Sequence, residues 1–167
     1  MLSDHLLAEL NKQMNYEFYS SQIYLAMGAY CAAESWDGFS NFFIVQAEEE
    51  RYHAMKIFHF IHTLGKQAIV SDLPAPTTEY SSVFDCFSQA YEHEKEVTKR
   101  IYHLSDIALN EREHATMNFL KWFIDEQVEE EDTFDTIVEK LKRIDQDSNA
   151  FFMMDAEFAD RSFTPED

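Results

Sequence analysis

The sequence predicts an all-α fold: a four-helix bundle with one long crossover between its second and third helices, and a short fifth helix near the C-terminal end. Three observations carry this. The 167 residues contain only 3 Gly and 3 Pro, against average usage of about 7% and 5%, so breakers are too few for many turns. Four long segments repeat apolar residues at alternating steps of four and three, the spacing of one buried helix face. A single stretch, 65–81, lacks that period and holds Pro74 and Pro76.

The first helix is expected over about 4–33, behind Ser3 as N-cap. Its seam reads Leu6, Leu10, Gln13, Glu17, Ser20, Tyr24, Met27, Cys31. A short break at 34–37 leads to a second helix over about 38–64, ended by Gly65. That seam reads Phe39, Phe43, Gln46, Glu50, His53, Ile57, Phe60, Leu64. The irregular stretch reaches about 56–61 Å when extended, and a helix of this size is about 40 Å long. It can therefore travel the height of the bundle, so that the second and third helices run parallel. The third helix, about 82–109 with Ser81 or Ser82 as cap, reads Val83, Phe87, Ala90, Glu94, Val97, Ile101, Leu104, Ala108. The fourth, about 112–144, reads Leu120, Phe123, Gln127, Glu130, Phe134, Ile137, Leu141. The fifth, about 148–158, follows Asp147 or Ser148 and carries Phe151, Phe152, Met154 and Phe158; 159–167 is expected to fray. The whole chain, 1–167, reads as one domain.

The net charge of −19 argues against nucleic acid and anionic membrane surfaces as partners and suits cations. No run of 18 apolar residues spans a membrane. The start, Met1-Leu2-Ser3-Asp4-His5, does not read as a signal peptide, and a cytoplasmic location is expected. Cys31 and Cys86 form no metal spacing and read as reduced core thiols.

Each long helix places an acid in the middle of its apolar seam: Glu17, Glu50, Glu94 and Glu130. In a bundle these converge at one height. Four carboxylates without cations would be desolvated and would repel one another. The spacings show a hidden two-fold. Glu17 to Glu94 is 94 − 17 = 77, and Glu50 to Gln127 is 127 − 50 = 77. His53 to Glu130 and Glu49 to Glu126 repeat that interval. One Glu from each of two helices and an i, i+3 pair from each of the others is the pattern of a dinuclear carboxylate site. Oxygen ligands with one imidazole suit iron or manganese, and also zinc.

On Glu17, Glu50-x-x-His53, Glu94 and Gln127-x-x-Glu130, with Tyr24 and Trp122, the chain resembles the ferritins, and within them the bacterial non-haem type. The resemblance covers nearly the whole chain. It implies a ferroxidase that oxidises Fe(II) with O2 or H2O2 and stores ferric oxyhydroxide inside a homo-oligomeric shell of twenty-four subunits. It further implies Glu17 and His53 as ligands of one iron, Glu50 as the bridge, and Glu94 and Glu130 on the second iron with Gln127 close by. Glu49, Glu126 and Glu129 match a third iron site, and Tyr24 an electron donor. Helix four carries Gln127-x-x-Glu130 where bacterioferritins repeat Glu-x-x-His, which implies a second site that iron passes through. Tyr52 stands at the bacterioferritin haem-ligand position, so no haem is expected.

The rival readings are a diiron oxidase or oxygenase acting on another substrate, a metal buffer or DNA-protecting miniferritin, and a plain acidic bundle. Met153-Met154 and Trp122 read as packing. His5, His59, His62, His93, His103 and His114 read as surface or satisfied histidines.

Overall fold

The computed structural model describes residues 1–165. Five helices follow in order: α1 Asp4–Ala33, α2 Asp37–Thr63, α3 Val83–Asn110, α4 His114–Leu141 and α5 Asn149–Phe158. No strand occurs among the described residues. Three helices start on a serine whose hydroxyl accepts the amide three residues on: Ser3 from Leu6 at 3.0 Å, Ser82 from Asp85 at 3.0 Å, and Ser148 from Phe151 at 3.3 Å. This satisfies amides that the first helical turn leaves without an internal partner. In α4 the Glu113 carboxylate does the same for Thr116 at 2.8 Å.

The helix ends explain where the pattern of residues misled. Gly65 closes α2 with φ of 72°, and Lys66 N–H reaches back to Ile61 O at 3.1 Å, the expected glycine stop. α1 and α3 close the same way on Ser35 (φ 65°) and Arg112 (φ 54°). Neither is glycine, so each adopts a left-handed conformation that costs an L-residue about 1–2 kcal/mol. Arg112 gives no stop signal in the sequence, and α4 accordingly begins at His114 and not at 112. It also ends three residues before the expected 144. Arg143 N–H bonds to Lys140 O at 3.1 Å and Ile144 N–H to Leu141 O at 3.4 Å, a tightened last turn.

α1 packs on α2, α3 on α4, and α1 also on α3. Ser3 at the start of α1 bonds to Glu111 at the end of α3, and the Tyr30 ring meets Tyr80 at the other end. α1 is therefore antiparallel to α3 and, through its short connection, to α2, so α2 and α3 run parallel. The crossover is pinned to α1: Asn11 Oδ1 accepts from Ile69 N–H at 2.6 Å and Asn15 Nδ2 donates to Ile69 O at 2.8 Å. The seams bury as expected, except that Phe60, Leu64 and Phe158 are half-buried and Phe152 is exposed.

The core is two apolar clusters with a polar layer between them. One gathers Tyr24, Phe39, Phe43, Phe87 and Phe134 under α5. The other gathers Leu10, Met14, Ile57, Val97, Leu120 and Phe123. α5 docks on α2, with Phe151 against Trp36 and Phe39 at 4.7 and 4.9 Å between ring centres.

The segment after α5 was expected to fray, yet it is tied to α2. Asn41 Nδ2 donates to the carbonyls of Phe158 (2.9 Å), Ala159 (3.3 Å) and Arg161 (3.0 Å). Arg161 binds back onto α2, and the Phe163 ring lies 5.5 Å from Tyr52. Residues 166–167 of that expectation lie outside the described residues.

Candidate metal centre

The polar layer joins all four long helices. Glu17 comes from α1, Glu50 and His53 from α2, Glu94 from α3, Gln127 and Glu130 from α4. Each of the six is buried. Single ligand atoms of Glu17, Glu50 and His53 lie within 4.8 Å of one another, and those of His53, Glu126 and Glu130 do likewise. The two groups share the imidazole. His53 Nδ1 is 3.3 Å from Glu50 Oε2, and Nε2 is 3.8 Å from Glu126 Oε1.

Neutral amides and a phenol orient the acids. Gln13 Nε2 donates to Glu17 Oε1 at 2.9 Å. Gln46 Nε2 donates to Glu50 Oε1 at 3.2 Å and to Glu130 Oε2 at 3.0 Å. Gln127 Nε2 donates to Glu94 Oε2 at 3.1 Å and is 3.2 Å from Thr98 Oγ1. The Tyr24 hydroxyl donates to Glu94. Glu17 Oε2 is buried with no amide or hydroxyl partner, and only a proton shared with the Glu50 carboxyl serves it in the apoprotein. An unmatched buried acceptor costs its desolvation energy, and a cation would relieve it.

Burial sets the protonation of the layer. It raises the Glu17 carboxyl. It lifts Glu50 well above the carboxylate range, helped by the charges of Glu94, Glu17 and Glu130. It does the same to Glu130, helped by Glu94 and Glu49. Glu94 is pushed by burial up to about 7. His53 is pushed down to about 3 by burial and by Lys56, so its imidazole is neutral and free to ligate. Burial also raises Tyr24, whose phenol keeps its proton. Carboxylates held near an energetic limit beside a neutral imidazole form a donor set for hard or borderline dications.

Of the remaining expected residues, Glu49, Glu126 and Trp122 border this layer. Glu49 is half-buried and its Oε2 pairs with Arg161 at 3.0 Å. Glu126 faces His53, and Glu129 is exposed. Trp122 stacks edge-on to His53 at 5.3 Å, with Lys56 4.3 Å from its ring centre. His93 is a satisfied histidine: its Nε2 meets Ser20 Oγ at 2.7 Å, its ring abuts Tyr16 and Tyr24, and burial holds it down at about 4. The residues overlooked were Gln13 and Gln46. Both precede a ligand-type glutamate by four residues, so the repeated Gln-x-x-x-Glu was visible in both seams. Arg161 had no such signal.

Known proteins resemble this chain along its length. The family profile described as "Ferritin: Ferritin-like domain" matches residues 7–144. A "Bacterial non-heme ferritin" of Staphylococcus epidermidis is 48% identical over 163 residues, 98% of each chain. One of Staphylococcus aureus is 46% identical over 166 residues, 99% of this chain and 100% of that one. A solved structure of Archaeoglobus fulgidus ferritin, engineered to a closed form, superposes with a TM-score of 0.96 at 41% identity, covering 98% of this chain and 100% of its own. With the profile spanning most of its residues and relatives near half identical end to end, the chain belongs to the ferritin family and stands among ferritins of the bacterial non-haem type.

Proposed function

We propose that this protein stores and detoxifies iron, oxidising Fe(II) at the four-helix polar layer and passing Fe(III) into a mineral held by a shell of its own copies. One observation carries the reading. Glu17, Glu50, Glu94 and Glu130 are buried in the layer between two apolar clusters, and among the described residues no Lys or Arg forms an ion pair with any of them. Dications complete such a set. Glu17 and His53 would hold the first Fe(II), and Glu94 and Glu130 the second. Glu50 would serve both, and Gln127 orients Glu94. Glu49, Glu126 and Glu129 would hold a third iron at the edge of the layer.

Each Fe(II) gives one electron. With O2 the pair yields two Fe(III) and, after two protons are taken up, H2O2; with H2O2 and two protons it yields two Fe(III) and two waters. Carboxylates favour the ferric product because they stabilise its higher charge. The protein's part is to hold both irons within reach of one oxidant molecule. Tyr24, hydrogen-bonded to Glu94, would give one further electron to the oxidant, passing its phenol proton on and leaving a tyrosyl radical. The family resemblance supports a cytoplasmic shell of twenty-four subunits without haem. Size-exclusion chromatography followed by aerobic Fe(II) titration tests the reading. A storage shell takes up far more iron than its ligands can hold. Saturation at two irons per chain would point instead to an oxygenase acting on another substrate.

A further inference from the structure

The segment after α5 reaches the polar layer through one side chain. Arg161 Nη1 donates to Phe42 O at 2.9 Å, and Nη2 donates to Gln46 Oε1 at 2.8 Å and to Glu49 Oε2 at 3.0 Å. The guanidinium lies over the Phe42 ring, 4.0 Å from its centre. The side chain keeps only 21% of its exposure. Asn41 fixes the backbone that delivers it, by bonding the Arg161 carbonyl at 3.0 Å.

Gln46 is fully buried, and a primary amide has a donor end and an acceptor end. Arg161 offers only donors, so it holds the Gln46 oxygen outward and turns the NH2 group inward. That NH2 group reaches Glu50 and Glu130, on two different helices. A flipped amide would set its oxygen against both carboxylates.

We propose that Arg161 is a positioning residue for the iron site: acting through Gln46, it presets Glu50 and Glu130 for metal, so the C-terminal segment is part of the centre's supporting shell. This rests on the metal-site reading above. Outer partners of this kind are commonly worth about 10–100-fold in metal affinity, and Arg161 is one residue further out, so its share is on the order of tenfold.

The experiment uses the assembled protein and Co(II), whose binding and visible spectrum need no iron oxidation. Arg161→Met keeps the packing over Phe42 and removes the donors. It is expected to weaken Co(II) binding about tenfold and to alter the Co(II) spectrum, with assembly and Tm near the parent's. Gln46→Met should do the same, and the double variant should lose little more than either alone, because the two act in series. Arg161→Lys, with its charge but not its fork, should fall between. If Arg161→Met fails to assemble, Arg161→Lys carries the test. Unchanged Co(II) affinity and spectrum, or losses that add in full in the double variant, overturn the proposal. A parent protein that binds Co(II) but does not oxidise Fe(II) overturns the proposed function and leaves the role of Arg161 readable.

Discussion

His53 Nε2 lies 3.8 Å from Glu126 Oε1, while Nδ1 of the same ring faces Glu50 at 3.3 Å. The ring thus stands between two acids, with Nδ1 beside Glu50 and the Nε2 side facing Glu126 at a separation longer than a hydrogen bond. One ligand atom each of His53, Glu126 and Glu130 lies within 4.8 Å of the others, close enough for a single dication to join them. Glu126→Gln takes a carboxylate from that group and should therefore weaken metal binding about tenfold or more, with little change in apo stability. Isothermal titration with Co(II) checks this; unaltered affinity would separate Glu126 from the first metal.

Removing a ligand outright has a larger effect. Glu50→Ala or His53→Ala should slow O2-dependent Fe(II) oxidation by about 100-fold or more, since misplacing one iron breaks the shared geometry. The shell should still assemble, because both side chains lie between the apolar clusters that build the core. Stopped-flow absorbance after size-exclusion chromatography reads both. Unchanged rates would remove the layer from the reaction.

One part of the pH dependence of the apoprotein comes from Glu94. Burial raises it from 4.5 to about 7, so the folded chain keeps a proton that the unfolded chain releases in between. The folded state then binds more protons, and the Glu94 contribution to stability falls as pH rises from about 4.5 to about 7, then levels off, while Glu17, Glu50 and Glu130, also raised by burial, slope the same way. His53 and His93, pushed down by burial, slope the opposite way below 6.5. A comparison with Glu94→Gln cancels them. The variant should gain on the parent across that window, whatever constant offset the lost acid causes. Urea midpoints at pH 4.5, 5.5 and 7 measure it, and a flat difference would refute the shift.

Most of the site was legible because its residues sit on a strict period. Glu17, Glu50, His53, Glu94, Gln127 and Glu130 interrupt apolar seams, and burial on a helix is set by spacing. The direction of α3 was legible from the length of the crossover alone. What was hidden lacks a period. Arg112 closes α3 without glycine, so nothing marked the start of α4. Arg161 reaches Gln46 from a residue 115 positions away in sequence, and only packing of α5 on α2 brings them together. Glu49 carried a ligand's position in sequence, but its pairing with Arg161 could not be foreseen.

The packing of α5 rests on a residue too small to clash. A Cβ on Gly38 would sit 1.6 Å from the Asp155 carbonyl oxygen, a backbone atom that cannot turn aside. Asp155 Oδ1 also accepts from Phe39 N–H at 2.9 Å, tying the two helices at the same point. Gly38→Ala must push α5 off α2, at a cost of about 1–3 kcal/mol for overpacking. Hydrogen exchange should then quicken in α5 while the amides of α1, α3 and α4 keep their protection. A shift of α5 off α2 also pulls the Phe158 and Arg161 carbonyls away from Asn41 of α2, so it should loosen Arg161 from Gln46. Co(II) affinity should therefore fall along with α5 protection, although Gly38 stands in the first turn of α2, about three turns from Glu50. Faster exchange in α5 with unchanged Co(II) binding would show that the C-terminal segment holds its place without that helix.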